Sequence, residues 1–304
     1  MFVLPHEIDL FEQTVIQLKQ NSLLCNGLEV VLDATLCVSP VLTNWGQSQL
    51  PRNYFITKFK NCERYTDWCE FIPRVEHGLH APPEKQILGC VSKRREAIKD
   101  SNVDAHMWLD CDMIFPDHAL YYIHEAMKGL RDAGQEYYVI TPEIVKIWDD
   151  SWDNITNENF LGKKHNFHLD CDIITIVRDK QLENNVSLHD IVNFKFAGGW
   201  MTVLSNELVK LTPIPEELGH YGLEDMFVMQ ACGLLRDDSR LQKNVKQFVL
   251  RNLIVGENHK YRNDSAITEL LNVNDKKSEY RDKAWAGYNK GINDWYAKIT
   301  LRST

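Results

Sequence analysis

The sequence predicts an α/β protein with a mixed, mostly parallel central sheet flanked by helices, built as one large domain with a helical C-terminal tail. Strand-length apolar runs alternate with helix-period stripes over residues 1–115, the pattern of a sheet wound with helices. The composition, 304 residues with 44% hydrophobic and 25% charged, is that of a globular chain. The last stretch is charged but carries Trp285, Tyr288, Trp295 and Tyr296, as a helix packed onto a body would.

Phe2 to Pro5 reads as a short buried strand. Ile8, Phe11, Val15 and Leu18 then fall on one helical stripe. A second strand is expected at Leu28 to Leu36, and a further apolar run at Gln86 to Val91 leads into a helix over Lys93 to Asp100. The segment AHMWLDCDMIF reads as a strand ending in acidic residues, and Asp117 is placed to cap a helix carrying Leu120, Ile123, Met127 and Leu130, which Gly134 ends. Tyr137 to Ile140 is a strand. Trp148 to Asn166 has no clean period and reads equally as a long loop over a site or as a surface excursion. Strands are expected at Ile173 to Val177, Phe194 to Leu204 and Gln247 to Val255, with a helix carrying Leu223, Phe227, Ala231 and Leu234.

No apolar run approaches the ~18 residues of a membrane span, and the N-terminal segment lacks the basic head and apolar run of a signal peptide. A cytoplasmic protein is therefore expected. The cysteines are scattered without a Cys-x-x-Cys pair, which favours reduced, buried thiols over a zinc site. A net charge of −9 disfavours a broad nucleic-acid surface.

Chemistry concentrates at a few places. Asp110 and Asp112 flank Cys111 at the end of an apolar run; on a strand they would share one face and suit a hard divalent cation, or simply be solvated strand-end acids. Asp170-Cys171-Asp172 repeats the pattern at the amino end of a run and reads as structural. Lys93-Arg94-Arg95 lies at an expected helix start, where it is either an anion site or a solvated turn. Gly198-Gly199 sits in an apolar strand region, which implies a bulge or a close ligand approach. Gly222-Leu223-Glu224-Asp225 joins a glycine hinge to an acidic first turn, and His259 follows a strand.

Taken in order, these segments resemble the GT-A class of nucleotide-sugar glycosyltransferases, chiefly family 2 and galactosyltransferase-like groups, over roughly residues 2 to 262. The resemblance implies a Rossmann-like GT-A domain over 1–262, with a nucleotide-binding half (1–115) and an acceptor-binding half (116–262), followed by the tail at 263–304. It implies that Asp33 contacts the base, that Arg94 lies in the nucleotide site, and that Gly198 and Gly199 lie near the donor sugar. Asp112, with Asp110 directly or through ribose or water, would hold Mn²⁺ or Mg²⁺ on the donor diphosphate, His259 being a third ligand. Asp225 would be the catalytic base of an inverting transfer, and Glu224 would bind donor or acceptor hydroxyls.

The expected donor is a nucleotide-diphosphate sugar, UDP-sugars foremost, and the expected acceptor a carbohydrate or glycoconjugate hydroxyl. Trp148, Trp152, Trp200 and Tyr221 could stack on a sugar ring or pack internally. A retaining transferase, transfer to a modified DNA base, and a sugar-binding or scaffold protein are the competing readings. A nucleotidyltransferase is disfavoured because Pro5-His6-Glu7-Ile8 stands where its glycine-rich loop would.

Overall fold

The apolar stripe of the first helix organises the amino-terminal layer. The computed structural model describes residues 1–38, 50–77, 90–99, 101–144, 185–192, 194–218, 223–258 and 275–303. Helix α1 (Ile8–Ser22) buries Ile8, Phe11, Val15 and Leu18, as their spacing requires. It packs near a parallel sheet of β1 (Phe2–Val3), β2 (Val31–Cys37) and β3 (Glu70–Glu76). The first strand is shorter than expected because Pro5–Glu7 turns into a 3-10 helix. Helix α2 (Arg52–Asn61) adds Phe55 and Phe59, the latter 5.1 Å from Phe11.

Helix α3 (Cys90–Lys99) starts before the expected Lys93, so Cys90 and Val91 are helical rather than extended. Strand β4 (Ala105–Leu109) stops before Asp110, and β5 (Met113–Ile114) resumes after a turn. Helix α4 (Ala119–Asp132) buries Leu120, Ile123 and Leu130. The Asp117 cap is a correction: His118 occupies the cap position without a side-chain bond. The Asn21 amide oxygen of α1 instead accepts the Leu120 N–H at 3.0 Å. Gly134, at φ +70°, ends α4, with its N–H on Arg131 O and that of Gln135 on Leu130 O, a left-handed cap that suits glycine.

Strands β6 (Tyr137–Ile144), β7 (Ser187–Ile191), β8 (Trp200–Ser205) and β9 (Val245–Glu257) join β4 and β5 in a six-stranded sheet ordered β4-β8-β6-β9-β5, with β7 on β9. Here β6 and β9 run parallel, whereas β4–β8, β6–β8, β5–β9 and β7–β9 are antiparallel. The fold is mixed α/β, and the mostly parallel expectation holds only for the first sheet. Phe194 to Gly199 is not strand; the Gln247 side chain binds Lys195 N–H and C=O at 2.7 and 3.0 Å, standing in for a neighbouring strand. The bulge anticipated at the glycines falls at Met201, φ +68°, where the register slips between Trp108 and Leu109.

Helix α5 (Asn206–Leu211) is capped by Ser205, and α6 (Glu224–Asp237) buries Phe227, Ala231 and Leu235. The tail is helix α7 (Asp275–Ser303). Its Trp295 meets Phe227 edge-on at 6.1 Å and donates Nε1–H to Leu211 O at 2.8 Å, while Tyr296 hydrogen-bonds Asp238 and Lys290 pairs with Glu217 at 3.3 Å. The tail thus braces α6. Cys62, Cys111 and Cys232 are buried free thiols. Among the described residues, no helix is long and apolar enough to cross a membrane.

Candidate functional site

Arg94 lies within α3 rather than at its start, so it projects from the body of the helix and not beside the free N–H groups of its first turn. Its guanidinium bridges two carboxylates, Nη1 to Glu224 Oε1 at 2.5 Å and Nη2 to Asp110 Oδ1 at 2.8 Å. It also lies over the Trp108 ring at 5.3 Å. The Glu224 side chain is only 5% exposed, that of Arg94 20% and that of Asp110 45%. The bridge therefore runs from a buried helix terminus toward solvent.

The start of α6 is delivered by Leu223, a non-glycine residue at φ +66° that accepts the Phe227 N–H at 2.8 Å. Such a conformation costs free energy and is typical of functional turns. Asp225, next in the first turn, accepts the Met226 N–H at 2.7 Å. Burial, then the neighbouring Glu224, pushes its pKa up to about 7, against the opposing pull of Arg94. A carboxyl with such a pKa takes and releases a proton near neutrality.

Asp110 and Asp112 lie in a turn, which replaces the expected strand alternation. The chain changes partners across it: Asp110 N–H donates to Gly199 O at 2.9 Å as the next rung of the β4–β8 pairing, the Asp112 carbonyl accepts Asn258 N–H at 2.7 Å as the next rung of the β5–β9 pairing, and Thr14 Oγ1 donates to Cys111 O between them at 2.8 Å. Cys111 still points inward, donating its thiol to Glu7 at 3.3 Å. Burial, then Asp112, raises the Glu7 pKa to about 7, and Asp110 adds to the rise.

Negative charge therefore accumulates around this turn, and hard carboxylate oxygens with excess negative charge fit Mg²⁺ or Mn²⁺. Among the described residues, no three His, Cys, Asp or Glu side chains converge to hold a metal ion. Asp110 and Asp112 would thus form a partial set, completed by substrate oxygens and water as at many Mg²⁺ sites. His259 lies outside the described residues, one position beyond Asn258.

The glycines have different surroundings. A Cβ on Gly199 would collide with both Asp110 carboxylate oxygens and lie 2.7 Å from Arg94 Nη2. One on Gly198 would lie 2.6 Å from the Trp200 ring. Trp200 is buried, so its role there is packing, while Phe196, 46% exposed, meets it edge-on at 5.4 Å. Trp148, Trp152, Tyr221, Gly222 and the Asp170–Asp172 pair lie outside the described residues.

Asp33 stands near the start of β2, which begins at Val31. The Arg74 fork grips its carboxylate, Nε at 3.1 Å from Oδ1 and Nη2 at 3.0 Å from Oδ2. The Met1 amine donates to Asp33 O at 2.6 Å and feels the charges of Arg94 and Asp110, which sets this strand beside the cluster. Of the expected site residues, the structure brings Arg94, Asp110, Gly199, Glu224 and Asp225 together, with Asp112 on the adjoining turn. Arg74, Glu7 and Thr14 were not anticipated. Their only local signals were an isolated arginine in a strand containing proline, and polar residues near an apolar helix stripe.

The chain matches no family model. No curated protein matches it either.

Proposed function

We propose that the protein is a metal-dependent glycosyltransferase of the GT-A type, moving a sugar from a nucleotide-diphosphate donor, a UDP-sugar foremost, to an acceptor hydroxyl with inversion. The observation that carries this reading is the Arg94 bridge. It draws the D-x-D aspartate Asp110 and the Glu224-Asp225 turn into one cluster, although Arg94 and Glu224 stand 130 residues apart in sequence.

In the proposed reaction the acceptor oxygen attacks the anomeric carbon as the bond from that carbon to the diphosphate oxygen breaks. The bonding pair leaves with the nucleoside diphosphate, and the acceptor proton passes to a carboxylate oxygen of Asp225. The pKa of about 7 at Asp225 supports the base assignment, since the group is substantially ionised at neutral pH and still basic enough to accept a proton. Glu224 orients a donor or acceptor hydroxyl. Asp110 and Asp112 would hold Mn²⁺ or Mg²⁺, which supplies positive charge where the leaving diphosphate becomes more negative.

The reading predicts that the full chain with Mn²⁺ releases UDP from at least one UDP-sugar, and that the product made from an α-linked donor is β-linked by NMR. An α-linked product would exclude the base role of Asp225. Absence of release from every UDP-, GDP- and dTDP-sugar would remove the reading.

A further inference from the structure

We infer that Arg94 is a positioning residue that ties the donor-side turn at Asp110 to the acceptor-side helix start at Glu224, and that Gly199 is glycine to make room for this tie. The inference rests on the glycosyltransferase reading but assigns Arg94 a role other than contact with the diphosphate.

The geometry carries it. The two ion pairs use different guanidinium nitrogens, so one planar group fixes both carboxylates at once, a rigidity that a lysine ammonium cannot supply. Trp108, 5% exposed on β4, presents its ring to the same guanidinium and limits where it can lie. Arg94 comes from α3, Asp110 from the turn after β4, and Glu224 from the first turn of α6.

Gly199 provides an independent observation. Its backbone does not require glycine, since its φ is outside the left-handed region. Space favours it: the nearest atoms to a Cβ there are the two Asp110 oxygens and Arg94 Nη2, so an added methyl would have to displace the paired side-chain ends. Gly199 O also receives the Asp110 N–H at 2.9 Å, so the segment entering β8 holds the backbone of Asp110 while the ion pair fills the space above. A side chain at 199 and loss of the guanidinium at 94 should damage the same object.

That object is the distance between the two halves of the reaction. Asp225 adjoins Glu224, so anchoring Glu224 to Asp110 fixes the proton acceptor relative to the residues that face the donor. Misplacement of a reacting group by about 1 Å costs on the order of 100-fold in rate while leaving binding largely intact.

The test is steady-state kinetics on the full chain with UDP-glucose, UDP-galactose and UDP-N-acetylglucosamine in Mn²⁺, read as UDP release, for wild type, Arg94→Lys, Arg94→Met and Gly199→Ala. We expect kcat to fall about 100-fold in Arg94→Met and Gly199→Ala with KM for the donor changed less than about threefold. Arg94→Lys should recover only part of the loss. A rise in KM with unchanged kcat would show that Arg94 binds the donor and would overturn the inference.

Urea unfolding of the two single variants and of Arg94→Met/Gly199→Ala separates failure of this inference from failure of the functional reading. A double variant no less stable than the weaker single one supports a shared object. Additive losses overturn it, even if no sugar is turned over.

Discussion

Arg94 and Glu224, 130 residues apart in the chain, meet at 2.5 Å, and the carboxylate of this pair is 5% exposed. Removing the cation leaves a buried carboxylate without its counter-charge. Such losses cost about 3 to 5 kcal/mol in fully buried pairs, and the half-exposed Asp110 arm adds little because water screens it. Arg94→Met should therefore lower unfolding free energy by about 3 kcal/mol in urea. A loss below about 1 kcal/mol, the value of a surface pair, would mean that the bridge is not formed.

Asp225 predicts a pH dependence of definite sign. Its folded pKa is raised from 3.8 to about 7 by burial and then by Glu224. Between those values the folded state binds more protons than the unfolded chain, so this group's contribution to stability falls as pH rises through that window and levels off above it. Asp225→Asn removes the charged form and should be more stable than wild type at pH 8 by roughly 4 kcal/mol, while losing sugar transfer. Equal slopes of stability against pH in the two proteins would count against it. The wild-type rate should also rise with pH through an acid limb near pH 7.

Asn21 and Asp117 offer a direct contrast. The buried Asn21 amide serves the Leu120 N–H at the start of α4, whereas Asp117 makes no cap bond there. Asn21→Ala strands a buried donor and should cost about 1 to 3 kcal/mol. Asp117→Ala should fall within about 0.5 kcal/mol of wild type. Thermal unfolding that ranks them the other way would restore the local cap.

Trp295 fastens the tail to the helix that carries Glu224 and Asp225. It packs on Phe227 and donates to Leu211 O at 2.8 Å. Trp295→Ala should cost about 3 to 5 kcal/mol and reduce turnover, which Trp295→Phe should largely restore. Full activity in the alanine variant would separate the tail from the site.

The amphipathic elements were legible because their signal is local. Ile8, Phe11, Val15 and Leu18 mark α1 by spacing alone, and Gly134 marks a helix end by its backbone freedom. Elements with weaker local patterns were missed: α2, whose apolar face is sparse, β3, which contains Pro73, and β7. The D-x-D residues were legible as chemistry but not as geometry. Asp110 N–H extends the β4–β8 pairing to Gly199 and the Asp112 carbonyl extends the β5–β9 pairing to Asn258, so the chain turns between two different partners, and neither partner is near in sequence. For the same reason Arg94 could be nominated as a site residue while its bridge to Asp110 and Glu224 could not.

The most direct test of the central claim is calorimetric titration of UDP, GDP, CMP and dTDP into the full chain with and without Mn²⁺, repeated on Asp112→Ala. The account predicts that one nucleoside diphosphate, UDP foremost, binds only with the metal and that Asp112→Ala abolishes the binding. Metal-independent binding that Asp112→Ala leaves intact, or no nucleotide binding under any condition, would contradict it.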